Sequence, residues 1–588
     1  MAVEPAEALS SRWPRALAAI GARGWLLTPL LCLAFGYLLA WERGFHLDDY
    51  AQQARAIDVQ SGEWRPIWSP VRQNLYPQRI LDRVLVMQLN GLVLSAEPAV
   101  RGLQALAVAI NALLLGGLAY RLLGSRLAAL VSGWLFLAPF FAWQALLTVF
   151  SSTYLVSAML MLTFLHAFWG GLTRPWTAPL RVALGTLALA VMLWVNEAPI
   201  IAVWLTLAFV PILALQRARG ALLPALLRRC LLMLVPPICL TGLMYLAVLR
   251  GGALVEARGG LETSVENLVR HAQAYFRTLG YLTVSDAGHL GTPLRNGLDT
   301  LAASPLGLVL SIAACLTLGL SVAVWRSETR TPRPPLALGL LVLTLGLTWF
   351  LATLLLPGIL VTRQELSERM LYFPFGGLCL ALGALAWIAA RSLPRPWGER
   401  LLVGLAGIAM LVGSIGVLGY ARGLAARFEM DRRELRLLME ALPSEALPRG
   451  SYLVLAEPTP RQAEARDRVA PRLVGVFDTD WSAEGGVWRA YRRGDLRIRV
   501  PSFQDTRFSF DNTPEANPRE VRADGDRIPP DRAIVFWYED DGVRLADALV
   551  LVDADGTRHR FELPLAREVS RRNGAAPREL VVPNQADR

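Results

Sequence analysis

Two adjacent carboxylates, Asp48 and Asp49, follow the first long apolar run of the chain, Trp25 to Trp41. A bilayer is crossed by a helix of roughly 20 apolar residues, so this run predicts a membrane-spanning helix. The two acids are then expected at the membrane surface, where a partly solvated carboxylate can act as a base, a metal ligand or a cation partner. The plainer interpretation, that the acids only mark the polar end of a span, stays open.

His46 lies two residues before the first of these acids and allows two interpretations. Together with Asp48 it offers the residue types of a divalent-metal site. A single histidine beside a carboxylate is more often its hydrogen-bond partner. The sequence therefore leaves open whether a divalent metal takes part in the chemistry.

Three further polar groups are expected on the same side of the membrane as the acidic pair. The first, at 76–79, heads an interfacial segment, and the second, at 196–197, lies between two apolar runs in mid-chain. The third, at 367–374, lies at the beginning of a later apolar run, 370–390. An arginine at a membrane surface often snorkels, but its planar guanidinium also binds phosphate through two parallel hydrogen bonds. The candidate substrate-binding residues in these groups are Tyr76, Arg79, Glu197, Glu368, Arg369 and Tyr372.

A base, a phosphate-binding cation and an apolar groove together suit the transfer of a sugar from a lipid phosphate to an acceptor hydroxyl. The hydroxyl is a weak nucleophile and needs a general base within hydrogen-bond distance. The sugar develops oxocarbenium character as its bond to phosphate breaks. The leaving phosphate gathers negative charge, which fixed cations stabilise. Because a polyprenyl tail stays in lipid, such a site must lie at the membrane interface.

The composition is that of a membrane protein. The 588 residues are 54% hydrophobic and only 18% charged, with a mean hydropathy of +0.38. These values exclude a disordered chain and an ordinary soluble enzyme. The net charge of +11 comes from arginine without any lysine. Many of the arginines lie in short connections between apolar runs, where they orient helices, so the charge does not predict a nucleic-acid partner.

The apolar runs predict an α-helical polytopic membrane protein with about 11 transmembrane helices. Arg-rich connections alternate with polar or longer ones, and the positive-inside rule assigns the Arg-rich set to the cytoplasm. A cytoplasmic tail, 1–24, and an odd number of crossings then place the C-terminus outside, periplasmic in a bacterial inner membrane. The helices are expected near 25–41, 100–120, 127–149, 154–170, 182–195, 198–215, 229–249, 301–325, 336–356, 370–390 and 401–420.

Three segments complete the predicted organisation. Within the membrane domain, 25–420, residues 42–99 mix aromatic residues with arginine and predict one or two interfacial amphipathic helices, with an ordinary surface loop as the alternative. Residues 421–449 predict an amphipathic linker helix. Residues 450–588 are polar, with short β-like runs separated by turn signals, and predict a β-rich soluble domain on the outer face.

These motifs resemble the GT-C superfamily of membrane glycosyltransferases, in particular the protein O-mannosyltransferases and the bacterial relatives of the tetratricopeptide-repeat O-mannosyltransferases. Members carry an acidic pair after the first helix, as at Asp48-Asp49. Tyr76-Pro77-Gln78-Arg79 stands where members carry a His-Pro-Pro or Tyr-Arg-Pro-Leu element. Asn196-Glu197 is similar to their Lys-Glu pair, and the stretch from Glu368 to Pro374 is similar to Glu-Arg-x-Leu-Tyr-Leu-Pro.

The resemblance implies a GT-C-like fold and an inverting transfer from a polyprenyl-phosphate-linked sugar to a glycan, lipid or protein acceptor. It implies Asp48 as the general base, with Asp49 as its neighbour. The chain departs from the pattern at Asn196, which replaces a lysine, and at 151–153, where relatives often have Gly-Arg. The C-terminal part shows no tetratricopeptide pattern.

A transporter or lipid flippase with an outer sensing domain is the rival interpretation. Such a protein should show internal symmetry or charged residues at mid-bilayer depth. The acids of this chain instead cluster at one expected face, and the centres of the apolar runs are nearly uncharged. The sequence therefore favours the enzyme, although a catalytically inactive scaffold is not excluded by sequence alone.

Overall fold

The structure of the chain is a computed structural model in which two compact units are present. The main part of the first unit is residues 96–422, and the main part of the second begins at residue 423. The structure describes residues 27–34, 80–137, 143–149, 151–195, 201–217, 223–250, 264–266, 269–270, 272–273, 287–325, 335–360, 368–394, 396–460, 476–501, 505–510, 521–539, 542–574, 576 and 578–585.

All the secondary-structure elements assigned to the described residues of the first unit are helices. Its helices are α1 (Ile80–Leu123), α2 (Arg126–Leu137), α3 (Trp143–Leu147), α4 (Ser152–Thr173), α5 (Ala178–Val195), α6 (Ala202–Leu205), α7 (Phe209–Gln216), α8 (Leu223–Arg250), α9 (Ala287–Ala303), α10 (Pro305–Val324), α11 (Leu336–Leu360) and α12 (Tyr372–Ser392). The next helix, α13 (Trp397–Ala441), contributes residues to both units, as α1 does through residues 87–95.

Eight helices in the described part of the chain are long and apolar enough to cross a membrane. They cover Ala96–Leu123, Ser152–Thr173, Pro175–Leu193, Leu223–Leu243, Pro305–Val324, Leu336–Thr353, Tyr372–Ser392 and part of Trp397–Ala441. The prediction of a mostly helical chain with a strand-rich C-terminal region is therefore confirmed, and the eight apolar helices are compatible with a membrane protein. The expected count of about eleven crossings stays a prediction.

Helix α1 is bent at Ala96, whose φ of −146° and ψ of 51° are not helical. The cause lies two residues further on, where Pro98 has no N–H to donate to the preceding turn. The bend separates the apolar segment Ala96–Leu123 from the segment that precedes it. It also places Glu97 and Arg101 in the first turns of the membrane-spanning part.

Two expected helices are broken in the structure, and one helix was not expected. The run 127–149 forms α2 and α3, and Pro139 lies between them in the sequence. The run 198–215 forms α6, a 3₁₀ turn (Thr206–Ala208) and α7, which contains Pro211. Pro211 has no N–H to donate to the preceding turn, which accounts for the 3₁₀ turn just before α7. Helix α9 begins within the stretch between the helices expected at 229–249 and 301–325, where no helix was expected.

Helices α11 and α12 pack closely through glycine. A Cβ atom on Gly346 would lie 2.6 Å from the backbone nitrogen of Ala381, and one on Gly377 would lie 2.6 Å from that of Phe350. The two backbones therefore approach to a distance that no larger residue allows, as is common where membrane helices cross. This contact holds the beginning of α12, and hence Tyr372, against the rest of the unit.

The described residues of the second unit form three small sheets. The strands are β1 (Tyr452–Leu455), β2 (Arg497–Arg499), β3 (Phe508–Phe510), β4 (Val521–Ala523), β5 (Asp526–Ile528), β6 (Ala533–Glu539), β7 (Gly542–Leu545), β8 (Ala548–Val552), β9 (Arg558–Glu562) and β10 (Glu579–Pro583). Their orders are β2-β1-β6-β7, β10-β8-β9 and β3-β4-β5. Two helices that the sequence did not suggest, α14 (Asp480–Tyr491) and α15 (Pro564–Arg572), accompany them.

The first sheet is parallel at its centre, because β1 pairs in parallel with both β2 and β6. Helix α14 lies between β1 and β2 in the sequence, as a crossover between parallel strands requires. In the second sheet β8 pairs in parallel with β10 and antiparallel with β9. The β4–β5 hairpin turns at Asp524 and Gly525, whose φ values are 47° and 86°. Two successive left-handed residues are typical of a tight hairpin turn.

The end of α13 packs within the second unit through buried polar contacts. Arg427 pairs with Asp478 at 3.1 Å, and the buried Asp431 accepts a hydrogen bond from the Val476 amide at 3.1 Å. Tyr538 donates to the Glu434 carbonyl at 2.9 Å, and Tyr491 donates to the Leu442 carbonyl at 2.8 Å. These contacts make the last turns of α13 part of the core of the second unit.

Candidate functional site

Four polar side chains lie on one side of the apolar helix α1. They are Glu97, Arg101, Gln104 and Asn111, and we call them the polar seam. At about 100° per residue, these positions fall within about 80° of one another around the helix axis. A polar stripe of this kind on a membrane-spanning helix faces protein rather than lipid, because an unpaired polar group in hydrocarbon is costly.

Arg101 is the most buried charged residue of the seam, with 2% of its surface exposed. Its guanidinium donates to Glu97 Oε1 from Nε at 3.3 Å and from Nη2 at 3.2 Å. It also donates to Gln104 Oε1 at 3.3 Å and to the carbonyl oxygen of Leu147. Leu147 is the last residue of α3, so this buried cation joins α1 to α3.

Gln104 extends the seam to the beginning of α4. Its Nε2 donates to the Thr148 carbonyl at 2.8 Å and to Ser152 Oγ at 2.9 Å. Ser151, Ser152 and Thr153 are all buried. The connection expected at 151–153 is therefore a buried polar turn packed against α1.

Asn111 connects α1 to α4 and to α12. Its Nδ2 donates to the Leu155 carbonyl at 2.9 Å and to the Tyr372 hydroxyl at 3.2 Å. Tyr372 is fully buried, and its ring centroid lies 4.9 Å from that of Phe136. The tyrosine predicted from the Glu-Arg-x-Leu-Tyr pattern is thus in direct contact with the seam.

Arg369 lies in a 3₁₀ turn, Glu368–Leu371, that leads into α12. This turn packs against α3, the helix whose last carbonyl oxygen accepts a hydrogen bond from Arg101. Arg369 is partly buried, and of Glu368 only the backbone is described. The structure therefore brings two predicted residues, Arg369 and Tyr372, to the end of the first unit that holds the seam.

Some buried oxygen atoms near the seam make no hydrogen bond within the described part of the chain. They are Asn111 Oδ1, Ser151 Oγ and Ser157 Oγ. Buried polar groups are nearly always paired in folded proteins, with protein, water or a ligand. These atoms therefore offer an amide acceptor and two hydroxyl groups to a molecule that enters here.

The other predicted site residues lie outside the described residues. They are His46, Asp48, Asp49, Tyr76, Arg79 and Glu197. No group of three or more His, Cys, Asp or Glu side chains in the described ranges is arranged to hold a metal ion. The roles assigned to these six residues and to a divalent metal stay predictions.

Arg101, Gln104 and Asn111 belong to the site region but were not predicted from the sequence. Their signal is the spacing of polar residues on α1, which places Glu97 and these three residues on one side of an otherwise apolar helix. Short motifs near the ends of apolar runs do not reveal such a stripe. A search for polar residues at helical spacing within each run does.

Comparison with models of known protein families gives no match, and comparison with curated proteins gives none either.

Proposed function

We propose that the chain is a GT-C-type membrane glycosyltransferase. It transfers a sugar from a polyprenyl-phosphate donor to an acceptor hydroxyl of a glycan, lipid or protein on the outer face of a bacterial inner membrane. Asp48 is the general base and Asp49 its neighbour. His46, Tyr76, Arg79, Glu197, Glu368, Arg369 and Tyr372 line the substrate site.

The observation that carries the proposal is the convergence of polar groups at one end of the apolar first unit. There the turn that holds Arg369 packs against α3, and α3 accepts a hydrogen bond from the buried Arg101. Cations in a low-dielectric setting stabilise a developing phosphate charge more strongly than cations in water. The arrangement suits a leaving lipid phosphate whose tail remains among apolar helices.

The unpaired atoms support the same assignment. Asn111 Oδ1 accepts hydrogen bonds, and Ser151 Oγ both donates and accepts them. A sugar presents hydroxyl groups that match this set. Hydrogen bonds to sugar hydroxyls also strengthen as the ring distorts towards the transition state.

The proposed reaction is one displacement at the anomeric carbon. The acceptor oxygen forms a bond to that carbon as the bond to the phosphate oxygen breaks. The hydroxyl proton moves to the Asp48 carboxylate, and the electron pair of the broken bond stays on the phosphate, whose charge Arg369 stabilises. The anomeric configuration is inverted.

The test compares Asp48→Asn, Asp49→Asn and the exposed control Asp531→Asn in full-length protein given a labelled polyprenyl-phosphate sugar. Loss of a general base lowers transfer by roughly 10²–10⁴-fold. We expect that loss in Asp48→Asn, a milder loss in Asp49→Asn and none in the control. Normal transfer in Asp48→Asn with none in Asp49→Asn reverses the two roles, and normal transfer in both contradicts the proposal.

Arg369 provides a second arm of the same test. Arg369→Ala removes a fixed cation, and we expect a loss of roughly 100-fold or more in transfer. Arg369→Lys keeps the charge but lacks the planar fork, so it should restore only part of the activity. Unchanged transfer by Arg369→Ala removes this residue from the site.

One observation favours the rival, a transporter or lipid flippase. The ion pair of the buried Arg101 and the partly buried Glu97 lies in the first turns of a helix that is apolar enough to cross a membrane, and ionisable residues in such segments often mark a substrate or ion pathway. Proteoliposomes that move a labelled lipid or solute without forming a glycosidic bond identify the rival. Product formation without movement identifies the enzyme.

A further inference from the structure

Three helices end together on the side of the first unit away from the polar seam. Gln216, the last residue of α7, donates from Nε2 to the carbonyl oxygens of Arg121 and Leu122 at 2.8 and 2.7 Å. Arg217 donates to the carbonyl oxygen of Thr173, the last residue of α4, at 3.3 Å. The C-terminal ends of α1, α4 and α7 are therefore held together by side chains of this chain.

Four arginines gather at these helix ends, and we call Arg121, Arg174, Arg181 and Arg217 the arginine face. Arg121 donates to the carbonyl of His166 at 3.3 Å and interacts electrostatically with Arg174 and Arg181. The Arg181 guanidinium lies against Gly170, and its Nε donates to Thr177 Oγ1 at 2.8 Å. Arg121, Arg174 and Arg217 are exposed.

The positive charge of this face is not compensated by acids from the same part of the chain. The sequence from Pro98 to Val255 contains a single acidic residue, Glu197. Each guanidinium has five N–H donors, and the carbonyl and hydroxyl contacts above use only a few of them. In the described part of the chain, the Arg174 side chain makes no hydrogen bond. Guanidinium N–H donors and uncompensated positive charge on the arginine face are therefore available to bind an anion.

An apolar surface adjoins the arginine face. Trp176 lies in the 3₁₀ turn between Arg174 and Arg181, with 81% of its surface exposed. Tryptophan is enriched at the level of lipid headgroups. Helix α5 then exposes Leu180, Leu184 and Leu187 at helical spacing, so a leucine stripe runs along α5 from the arginine face. A cationic group, an interfacial tryptophan and a leucine stripe in this order match the phosphate and the acyl chain of one lipid.

We propose that the arginine face binds the phosphate of an anionic phospholipid whose acyl chain lies along the leucine stripe of α5. A soluble phosphate has no apolar part, so it would not contact the leucines or Trp176. Basic pockets between membrane helices are known to hold acidic headgroups on the cytoplasmic side, and the sequence-based orientation assigns these connections to that side. The lipid site is distinct from the proposed transferase site, and its test does not depend on transfer activity.

Native mass spectrometry of the full-length protein in detergent tests the site with phosphatidylglycerol and phosphatidylcholine as probes. We expect the protein to retain phosphatidylglycerol preferentially. Each surface arginine contributes roughly fivefold to such binding, so Arg174→Gln/Arg181→Gln should retain phosphatidylglycerol roughly 10- to 30-fold more weakly. The control Arg295→Gln removes an exposed arginine on α9 and should behave as the unaltered protein.

If the double variant does not fold, Arg174→Gln alone is used in the same measurement. The Arg174 side chain makes no hydrogen bond to a described residue, so its replacement should leave the fold intact. Equal retention of the two lipids, or unchanged retention by a folded Arg174→Gln protein, overturns the proposal. Millimolar inorganic phosphate forms the last arm. If phosphate displaces the lipid from the unaltered protein at that concentration, the face is a site for soluble anions and the proposal is wrong.

Discussion

The hydroxyl of Tyr372 lies 3.2 Å from Nδ2 of Asn111, although the two residues are 261 positions apart in the sequence. This hydrogen bond joins α12 to α1 inside the membrane-spanning unit. The same Asn111 nitrogen donates to the Leu155 carbonyl at 2.9 Å, so one amide group connects three helices. The junction links a residue predicted from a sequence motif to a residue that the motif search missed.

Tyr372→Phe removes this bond while keeping the ring against Phe136. Hydrogen bonds in membrane proteins contribute about 0.6 kcal/mol on average and about 1 kcal/mol in soluble proteins, so we expect a loss of stability in this range. Asn111→Ala should cost more, because both of its bonds are lost. Thermal unfolding of the two single variants and the double variant measures the coupling. Losses that simply add contradict a direct interaction.

Arg101 should be important for stability, because it is buried and donates hydrogen bonds to Glu97, Gln104 and the Leu147 carbonyl. Arg101→Met leaves Glu97 and the acceptors of Gln104 and Leu147 without their donor. Because Glu97 is partly exposed, we expect a loss of stability below the roughly 3–5 kcal/mol that breaking a fully buried pair costs. Arg101→Met/Glu97→Leu removes both charges and should recover part of the loss. Arg295→Met, at an exposed position on α9, is the matched control. Equal stability of Arg101→Met and the control would show that the buried pair has no structural role.

Gly377 should not tolerate a methyl group. In Gly377→Ala the new Cβ would lie 2.6 Å from the Phe350 nitrogen and 2.7 Å from the Gly346 oxygen, both backbone atoms. Overpacking of this kind typically costs about 1–3 kcal/mol. Gly319→Ala is the control, since nothing lies within 4 Å of its Cβ and it should be neutral or stabilising by up to about 1 kcal/mol. Unfolding curves recorded in detergent compare the stabilities of the Gly377→Ala and Gly319→Ala proteins with that of the unaltered protein.

Asp495 should make the second unit sensitive to acid. The neighbouring Arg493 guanidinium, 2.7 Å away, lowers the pKa of Asp495 to about 2, from an ordinary value of 3.8. The carboxylate therefore stabilises the fold above about pH 4, and this contribution is lost as the pH falls from about 4 to 2. Because the pair is partly exposed, solvent screening limits the effect to about 1 kcal/mol.

Thermal unfolding of the full chain between pH 2 and pH 7 checks this expectation. Asp495→Asn should be less stable than the unaltered protein at pH 7, and the difference should vanish near pH 2. Asp531→Asn, at an exposed position, should follow the unaltered protein throughout. A difference between Asp495→Asn and the unaltered protein that does not change with pH would contradict the proposed charge interaction.

The sequence predicts the long apolar helices well where no proline intervenes. The run expected at 154–170 lies within α4, and the run expected at 370–390 overlaps α12 from Tyr372 onwards. The expected β-like runs at 452–455, 533–538 and 548–552 are strands β1, β6 and β8. Uniform hydropathy does not show where a helix breaks, so the interruptions between α2 and α3 and within 198–215 were missed. Helix α9 was missed because its glycine, proline and charged residues are typical of loops.

The candidate site was only partly predictable, for a physical reason. Sequence motifs identify residues that differ in chemical type from their neighbours in the sequence, such as the charged Arg369 at the beginning of an apolar run. They do not identify which distant helices share a buried polar contact. The convergence of Asn111, Leu155 and Tyr372 is set by helix packing, including the glycine contacts between α11 and α12. Such packing has no short sequence signature.

The pairing of β10 with β8 has a consequence for synthesis and turnover of the protein. β8 is an apolar strand in the middle of its sheet, and one of its two edges is covered only by residues 579–583. A ribosome adds about 5–20 residues per second, so this edge stays open for one to several seconds after β8 emerges. Proteolytic removal of the last ten residues would leave it open permanently. An open apolar edge pairs readily with other chains, so trimmed protein should aggregate.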